Sequence, residues 1–204
     1  MKNFLIAALS CLALVLALPF AHAAPFDIDP VHSSVGFSIH HLVGRVNGTF
    51  DEFSGDFEFD KKKPQSSLVE FTVKTTSIDT HNLKRDKHLR SADFFDVEKF
   101  PTMTFKSRKL IPAGKNKFKL EGDLTLHGIT RPQTFLVELG GMMRDPWNNI
   151  RVGFTATTHL NRKDFGVKWN KVLDTGGYML GDDVQVTLQI EAIQRQAPTS
   201  AARN

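Results

Sequence analysis

Lys119 to Leu139 reads KLEGDLTLHGITRPQTFLVEL, and the pattern within it decides the fold. Leu120, Gly122, Leu124 and Leu126 fall on one side, with Glu121, Asp123, Thr125 and His127 on the other. After Gly128-Ile129-Thr130-Arg131-Pro132 the alternation resumes, Phe135, Val137 and Leu139 being set against Thr134, Leu136 and Glu138. Alternation on both arms of a connection containing Gly and Pro predicts an antiparallel hairpin with one apolar face. Pro132 has no amide proton to give, so it fits a strand start or an edge.

The same design recurs on either side. Val35, Phe37 and Ile39 alternate with Ser34, Gly36, Ser38 and His40; Asn47-Gly48 reads as a tight turn. Phe53, Gly55, Phe57 and Phe59 form one face, then Val69, Phe71 and Val73, then Met103 and Phe105. Beyond the turn Asp145-Pro146-Trp147-Asn148-Asn149 come Ile150 to Leu160 and Val184, Val186, Leu188 and Ile190, again with a period of two. From Thr80 to Phe100 the rhythm lapses: His81 to Arg90 is charged and helix-compatible, Ser91 to Phe95 reads as a short capped turn or helix, and Pro101 ends the segment. About eight half-buried strands with little helix must close on themselves or pack on a second sheet, and closure also removes the edges. The expected fold is all-β, a closed antiparallel barrel with a short helical segment between strands. Whether side chains fill it or leave it hollow, the period does not decide.

Met1 to Ala23 stands apart from this pattern. Lys2, the apolar run Phe4 to Leu18 and the small residues of Ala21-His22-Ala23 match a cleavable export leader. Periplasmic location is the expectation, with a domain over residues 24–194 and a flexible polar tail over 195–204. The single cysteine, Cys11, lies in the leader, so the barrel has no thiol for a disulfide, a nucleophile or a metal. The formal charge of +4 is mild and its signs are interspersed, which argues against a nucleic-acid partner. Seventeen phenylalanines against one tyrosine and two tryptophans supply apolar area without polar tips that need partners.

Motifs for catalysis and metal binding are weak. His32, His40, His41, His81, His88, His127 and His159 include no His-x-His or His-Glu-x-x-His, and strand neighbours His40 and His41 point to opposite faces. There is no Gly-x-Ser-x-Gly elbow and no phosphate-cradling loop opening a helix. Metal, cofactor and catalytic residues are therefore expected to be none. The basic run Lys84, Arg85, Lys87, His88 and Arg90 reads either as a solvated helix face or as a contact for an anionic head group or membrane surface.

Several segments acquire meaning together. They are Asp29-Pro30-Val31-His32-Ser33 leading to Phe37, Gly48-Thr49-Phe50 with Phe53-Ser54-Gly55, and Arg85-Asp86-Lys87-His88-Leu89 followed by Asp93-Phe94-Phe95-Asp96 and Phe100-Pro101. Gly122 to Thr130 and Asn161-Arg162-Lys163-Asp164-Phe165-Gly166-Val167 complete the set. In order and spacing they resemble the YceI-like family of periplasmic proteins. The resemblance implies an eight-stranded lipocalin-like barrel that carries or stores long isoprenoid lipids, such as polyprenyl quinone precursors, in an apolar channel. It also implies that some members form homodimers, and it assigns no catalytic role.

The residues expected to line such a channel are Phe37, Ile39, Phe57, Phe71, Val73, Phe105, Leu124, Leu126, Phe135, Val137, Phe154, Leu188 and Ile190, with Phe94 and Phe95 near one end. Thr80 to Phe100 is the candidate lid. Two alternatives compete: an enzyme acting on an apolar substrate with His32, His41 or Asp164 at the mouth, and a filled barrel that binds a partner protein.

Overall fold

The structure is a computed structural model and describes residues 24–60, 63–174 and 176–196. Residues 1–23, where the leader is expected, and residues 197–204 lie outside the described residues. The strands are β1 (Ala24–Ile28), β2 (Ser34–His41), β3 (Gly44–Phe50), β4 (Phe53–Phe59), β5 (Leu68–Lys74) and β6 (Ile78–Asp79). They continue as β7 (Thr102–Gly114), β8 (Lys117–Leu126), β9 (Ile129–Arg144), β10 (Ile150–Asn161) and β11 (Leu180–Gln194). The helix α1 (Leu83–Arg90) falls between β6 and β7.

All pairings are antiparallel, and β1-β4-β5-β7-β8-β9-β10-β11 returns to β1, a closed ring of eight. The remaining strands continue three members of that ring. β2 follows β1 along the same edge of β11 after a 3-10 turn at Pro30–His32. β3 pairs with β2 as β4 pairs with β1, and β6 pairs with β3 as β5 pairs with β4. The fold is thus the expected eight-stranded barrel, with three adjacent strands each interrupted once. The interruptions lie at 29–33, 51–52 and 75–77.

Two turns differ from expectation. Asn47-Gly48 lies inside β3, opposite Ser38 and Phe37, and the chain reverses instead at Leu42-Val43, with Leu42 at φ 52°. Gly48 is there for space: a Cβ on it would stand 2.6 Å from the Phe37 ring. The connection after β8 is also shorter than the composition suggests. His127 (φ 52°) and Gly128 (φ 73°) reverse the chain alone, and Ile129 pairs at once with Leu126. Two consecutive positive φ values give the primed turn whose twist matches the flanking strands, so no further residue is needed. Pro132 sits in β9 opposite Asp123, before the pairing of β9 with β10 that starts at Leu136, and no amide is missed.

Phenylalanine rings fill the lower end, where β1 meets β4 and β11. Phe26 and Phe57 stack at 5.3 Å, while Phe59 meets Phe154 at 5.2 Å and Phe118 at 6.4 Å, both edge to face. Val152 and Ala192 are fully buried beside them. β11 ends at Gln194, and the residue after it is still fastened to β1 and β4. Arg195 N–H donates to Pro25 O (2.9 Å), and the Arg195 guanidinium pairs with Asp27 and Asp56.

Candidate functional site

Above those rings the barrel encloses a cavity of about 640 Å³, within the usual range for ligand sites. All the channel residues expected from the sequence stand on its wall: Phe37, Ile39, Phe57, Phe71, Val73, Phe105, Leu124, Leu126, Phe135, Val137, Phe154, Leu188 and Ile190, together with Phe94 and Phe95. The strand residues among them converge because each lies on the inward set of its strand, the cross-strand partners Phe71–Phe105 and Phe154–Ile190 being examples, whereas Phe94 and Phe95 come from the turn after α1. Gly122 leaves room for one of the rings, since a Cβ there would meet Phe105 at 2.5 Å and Lys106 O at 2.4 Å.

The wall also includes apolar residues that were not expected. Val69, Val184 and Val186 belong to faces already recognised, and the same alternation would have found them. Val46 and Phe50 were hidden by the turn assigned to Asn47-Gly48, which removed their strand from consideration. An interior with this much free volume is not packed solid, so the filled-barrel alternative fails. The polar exceptions are few. Ser67 is buried, lines the cavity, and its hydroxyl has no hydrogen-bond partner.

The upper end is covered by chain without strand period, braced by side chains. Asn82 caps α1 by accepting from Arg85 N–H (3.0 Å). Arg85 donates to Thr80 Oγ1 and O (both 2.7 Å), and Arg90 to Thr76 O (2.8 Å) and Ile78 O (2.6 Å). Buried Asp86 accepts from the Thr80 amide (3.0 Å) and hydroxyl. The basic run is therefore split. Arg85 and Arg90 fasten the helix to the strand before it, whereas Lys84 and Lys87 are exposed. His88 Nε2 lies 2.9 Å from Asp93 Oδ2, and its ring meets Phe94 (5.0 Å) and Trp169 (4.8 Å) edge-on.

Trp169 comes from the long connection after β10, and its position depends on Arg162. That guanidinium, almost wholly buried, donates to Gly181 O (2.9 Å), Val167 O (2.9 Å), Trp169 O (2.8 Å) and Asp182 Oδ1 (3.1 Å). Burial lowers its affinity for a proton and the Asp182 carboxylate works the other way. Asn82, Lys84, Arg85, His88, Arg162 and Trp169 all reach the cavity wall at this end, as does His41. Sequence period could not place them, because tertiary hydrogen bonds and not strand register fix their positions.

The residues of the enzyme alternative are not brought together. His41 is on the wall, but His32 is outside with its Nδ1 2.9 Å from Asp29, and Asp164 is exposed off the wall. Asp29, His32 and Glu191 do converge with the spacing of a metal site. A cation already stands there: Arg151 Nη1 donates to Asp29 (2.8 Å) and Glu191 (2.6 Å), and its Nε to Asp145 (2.9 Å). Burial pushes the Asp29 carboxyl up, but hydrogen bonds from Arg151, His32 and the Val31 amide outweigh it and hold the group at about 2. Asp145 is likewise opposed by burial and held at about 2 by Arg151, Asn149 and the Trp147 amide. Arg151 is raised in turn, first by Asp145, then by Asp29 and Glu191.

Comparison with known proteins agrees with the geometry. The model of the YceI-like domain matches residues 26–192. A UPF0312 protein of Vibrio parahaemolyticus is 42% identical over 188 residues, covering 90% of this chain and 95% of that one. The crystal structure of Burkholderia cenocepacia BcnA superposes with a TM-score of 0.73 at 25% identity, covering 81% of this chain and 99% of that chain. A polyisoprenoid binding domain from Saccharophagus degradans shares the fold at a TM-score of 0.64 and 13% identity, covering 85% of this chain and all of its own.

Proposed function

The chain belongs to the YceI-like family, and from that premise we propose that it is a non-enzymatic, exported carrier or store of a long isoprenoid lipid. The observation that carries the proposal is the cavity: about 640 Å³, walled mainly by Phe, Leu, Val and Ile and reaching to α1, where Asn82, Lys84 and Arg85 stand on its wall. A polyprenyl chain has no hydrogen-bonding groups, so it asks nothing of such a wall but area and length. Large ligands gain at most about 0.3 kcal/mol per heavy atom, hence about 1.5 kcal/mol per five-carbon unit, and several buried units suffice for tight binding. The polyisoprenoid binding domain with the same barrel shape supports the choice of ligand class. The leader-like Met1 to Ala23 supports export to the periplasm, and carriage between membranes follows from a cargo insoluble in water.

The two tryptophans make the test direct. Trp169 is on the cavity wall, whereas Trp147 is exposed in the β9–β10 turn. In the Trp147→Phe variant, adding a long polyprenol should change Trp169 emission saturably, and mass spectrometry of extracts from natively purified protein should find isoprenoid lipid. An unaltered Trp169 signal together with lipid-free extracts would refute the proposal. Recovery of a chemically changed polyprenyl substrate would favour the enzyme alternative instead.

A further inference from the structure

The rim of the mouth is apolar where a rim facing only water would be polar. Val43 is fully exposed and Leu42 is 44% exposed at the β2–β3 turn; Val172 and Tyr178, 66% and 63% exposed, lie in the connection before β11. These residues are contiguous. Leu42 N–H donates to Met179 O (2.9 Å), and Val172 faces Tyr178 across an isolated antiparallel bridge. Leu83, 89% exposed, opens α1 between Asn82 and Lys84, which both reach the cavity wall. Single exposed apolar side chains are ordinary, but a continuous set bordered by charge marks an interaction surface.

The border is basic. Arg45 follows the β2–β3 turn, Lys84 and Lys87 flank Leu83, and Lys168 and Lys171 precede Val172. None of these makes an ion pair among the described residues. Of the neighbouring carboxylates, Asp86 is buried on Thr80, Asp79 lies 3.3 Å from His81, and Asp182 is paired with Arg162 and Lys163. Asp164 and Asp174, near Lys168 and Lys171 in the chain, make no ion pair among the described residues. The apolar rim is also continuous with the cavity, because Leu42 follows His41 and Tyr178 precedes Met179 and Leu180, all three on the wall.

We infer that the mouth docks on a lipid bilayer bearing anionic head groups, with Leu42, Val43, Val172 and Tyr178 entering the interface and the lysines meeting phosphate. Wedges of apolar side chain with flanking cations are what reversible interfacial binding requires. A mouth seated in this way lets a lipid move between bilayer and cavity without crossing water. That last step rests on the carrier proposal; the docking surface does not.

Flotation of the purified full chain with phosphatidylcholine vesicles, with and without phosphatidylglycerol, tests the inference. Binding should need phosphatidylglycerol and weaken with salt, and should be lost in Val43→Asp and in Tyr178→Ser. Replacing Lys84 or Lys171 by Ala should weaken it about five-fold each. Met143→Asp is the control, since Met142, Met143 and Trp147 form an exposed apolar set at the opposite end of the barrel. Undiminished flotation of Val43→Asp, or loss of flotation with Met143→Asp alone, would overturn the inference. So would light scattering that shows a wild-type dimer split by Val43→Asp, which would give the rim to a second copy. Polyprenol uptake from detergent, read by Trp169, is measured separately, so failure of docking and failure of lipid binding are told apart.

Discussion

The two ends of the barrel are closed by opposite means. Below, the strands do the work themselves: period two delivers Phe26, Phe57, Phe59, Phe118 and Phe154 to one place, and rings against rings fill it. Above, the covering chain has no period, and arginines hold it by their hydrogen bonds to carbonyl oxygens. Irregular backbone leaves carbonyls that no ladder satisfies, and a guanidinium with several donors in one plane can serve a number of them at once. One end is a hydrophobic plug and the other a cover tied at points. The difference teaches that packed rings fill the floor, while the mouth is kept shaped without being filled.

The most severe test of this contrast is Arg162. Replacing it by Met strands the carbonyls of Gly181, Val167 and Trp169 and leaves Asp182 with Lys163 alone, and should cost about 3–5 kcal/mol in urea unfolding. Polyprenol affinity should fall with it because Trp169 loses its anchor. A loss below about 1 kcal/mol would mean that the upper end stands without its arginine.

Next come two truncations whose effects should be opposite. Phe26→Ala removes a fully buried floor ring that stacks on Phe57 and is off the cavity wall, and should cost about 3 kcal/mol in stability, with lipid uptake little changed. Leu124→Ala removes a wall residue that already borders free volume, so about 1–2 kcal/mol is expected, with the larger effect on polyprenol affinity. Equal stability losses from both would erase the distinction between plug and wall.

Acid should act on the lower end first. The Asp29 and Asp145 carboxyls are held at about 2 in the folded protein against 3.8 ordinarily. Their stabilisation is therefore complete above about 4 and drains as pH falls towards about 2, because the unfolded chain takes up those protons first. Melting temperature followed across that window should drop, and Arg151→Met should flatten the slope while lowering stability at neutral pH. The smallest effect is expected from Lys84→Ala, which removes an exposed, unpaired charge and should move stability by less than about 0.5 kcal/mol.

What could be read in the sequence follows the same division. Strand faces, and with them Phe37, Phe71, Phe105, Leu124 and Ile190, are legible because alternation between core and surface is a property of neighbouring residues alone. Asn47-Gly48 misled because a glycine's freedom serves turns and crowded strands equally, and only the Phe37 ring lying over Gly48 decides which. Arg85, His88, Arg162 and Trp169 were beyond reach for a different reason. Nothing local tells a buried bracing arginine from a solvated one, so the resemblance that included Arg85-Asp86 and Asn161-Arg162 marked the segments without explaining them. The structure supplies the reason: both arginines hold irregular chain against carbonyl groups.

The three interrupted strands have a consequence for how the gene can change. Register is set separately on the two sides of 29–33, 51–52 and 75–77, so these positions act as expansion joints. An extra residue inserted at 51–52 is absorbed before the ladder of β4 begins. The same insertion in the middle of β10 would exchange the two faces of the rest of that strand, turning Ala156 and Leu160 from wall to water and their polar neighbours inward. Length variation among relatives should therefore collect on the jointed side of the barrel and avoid the side built from β7 to β11.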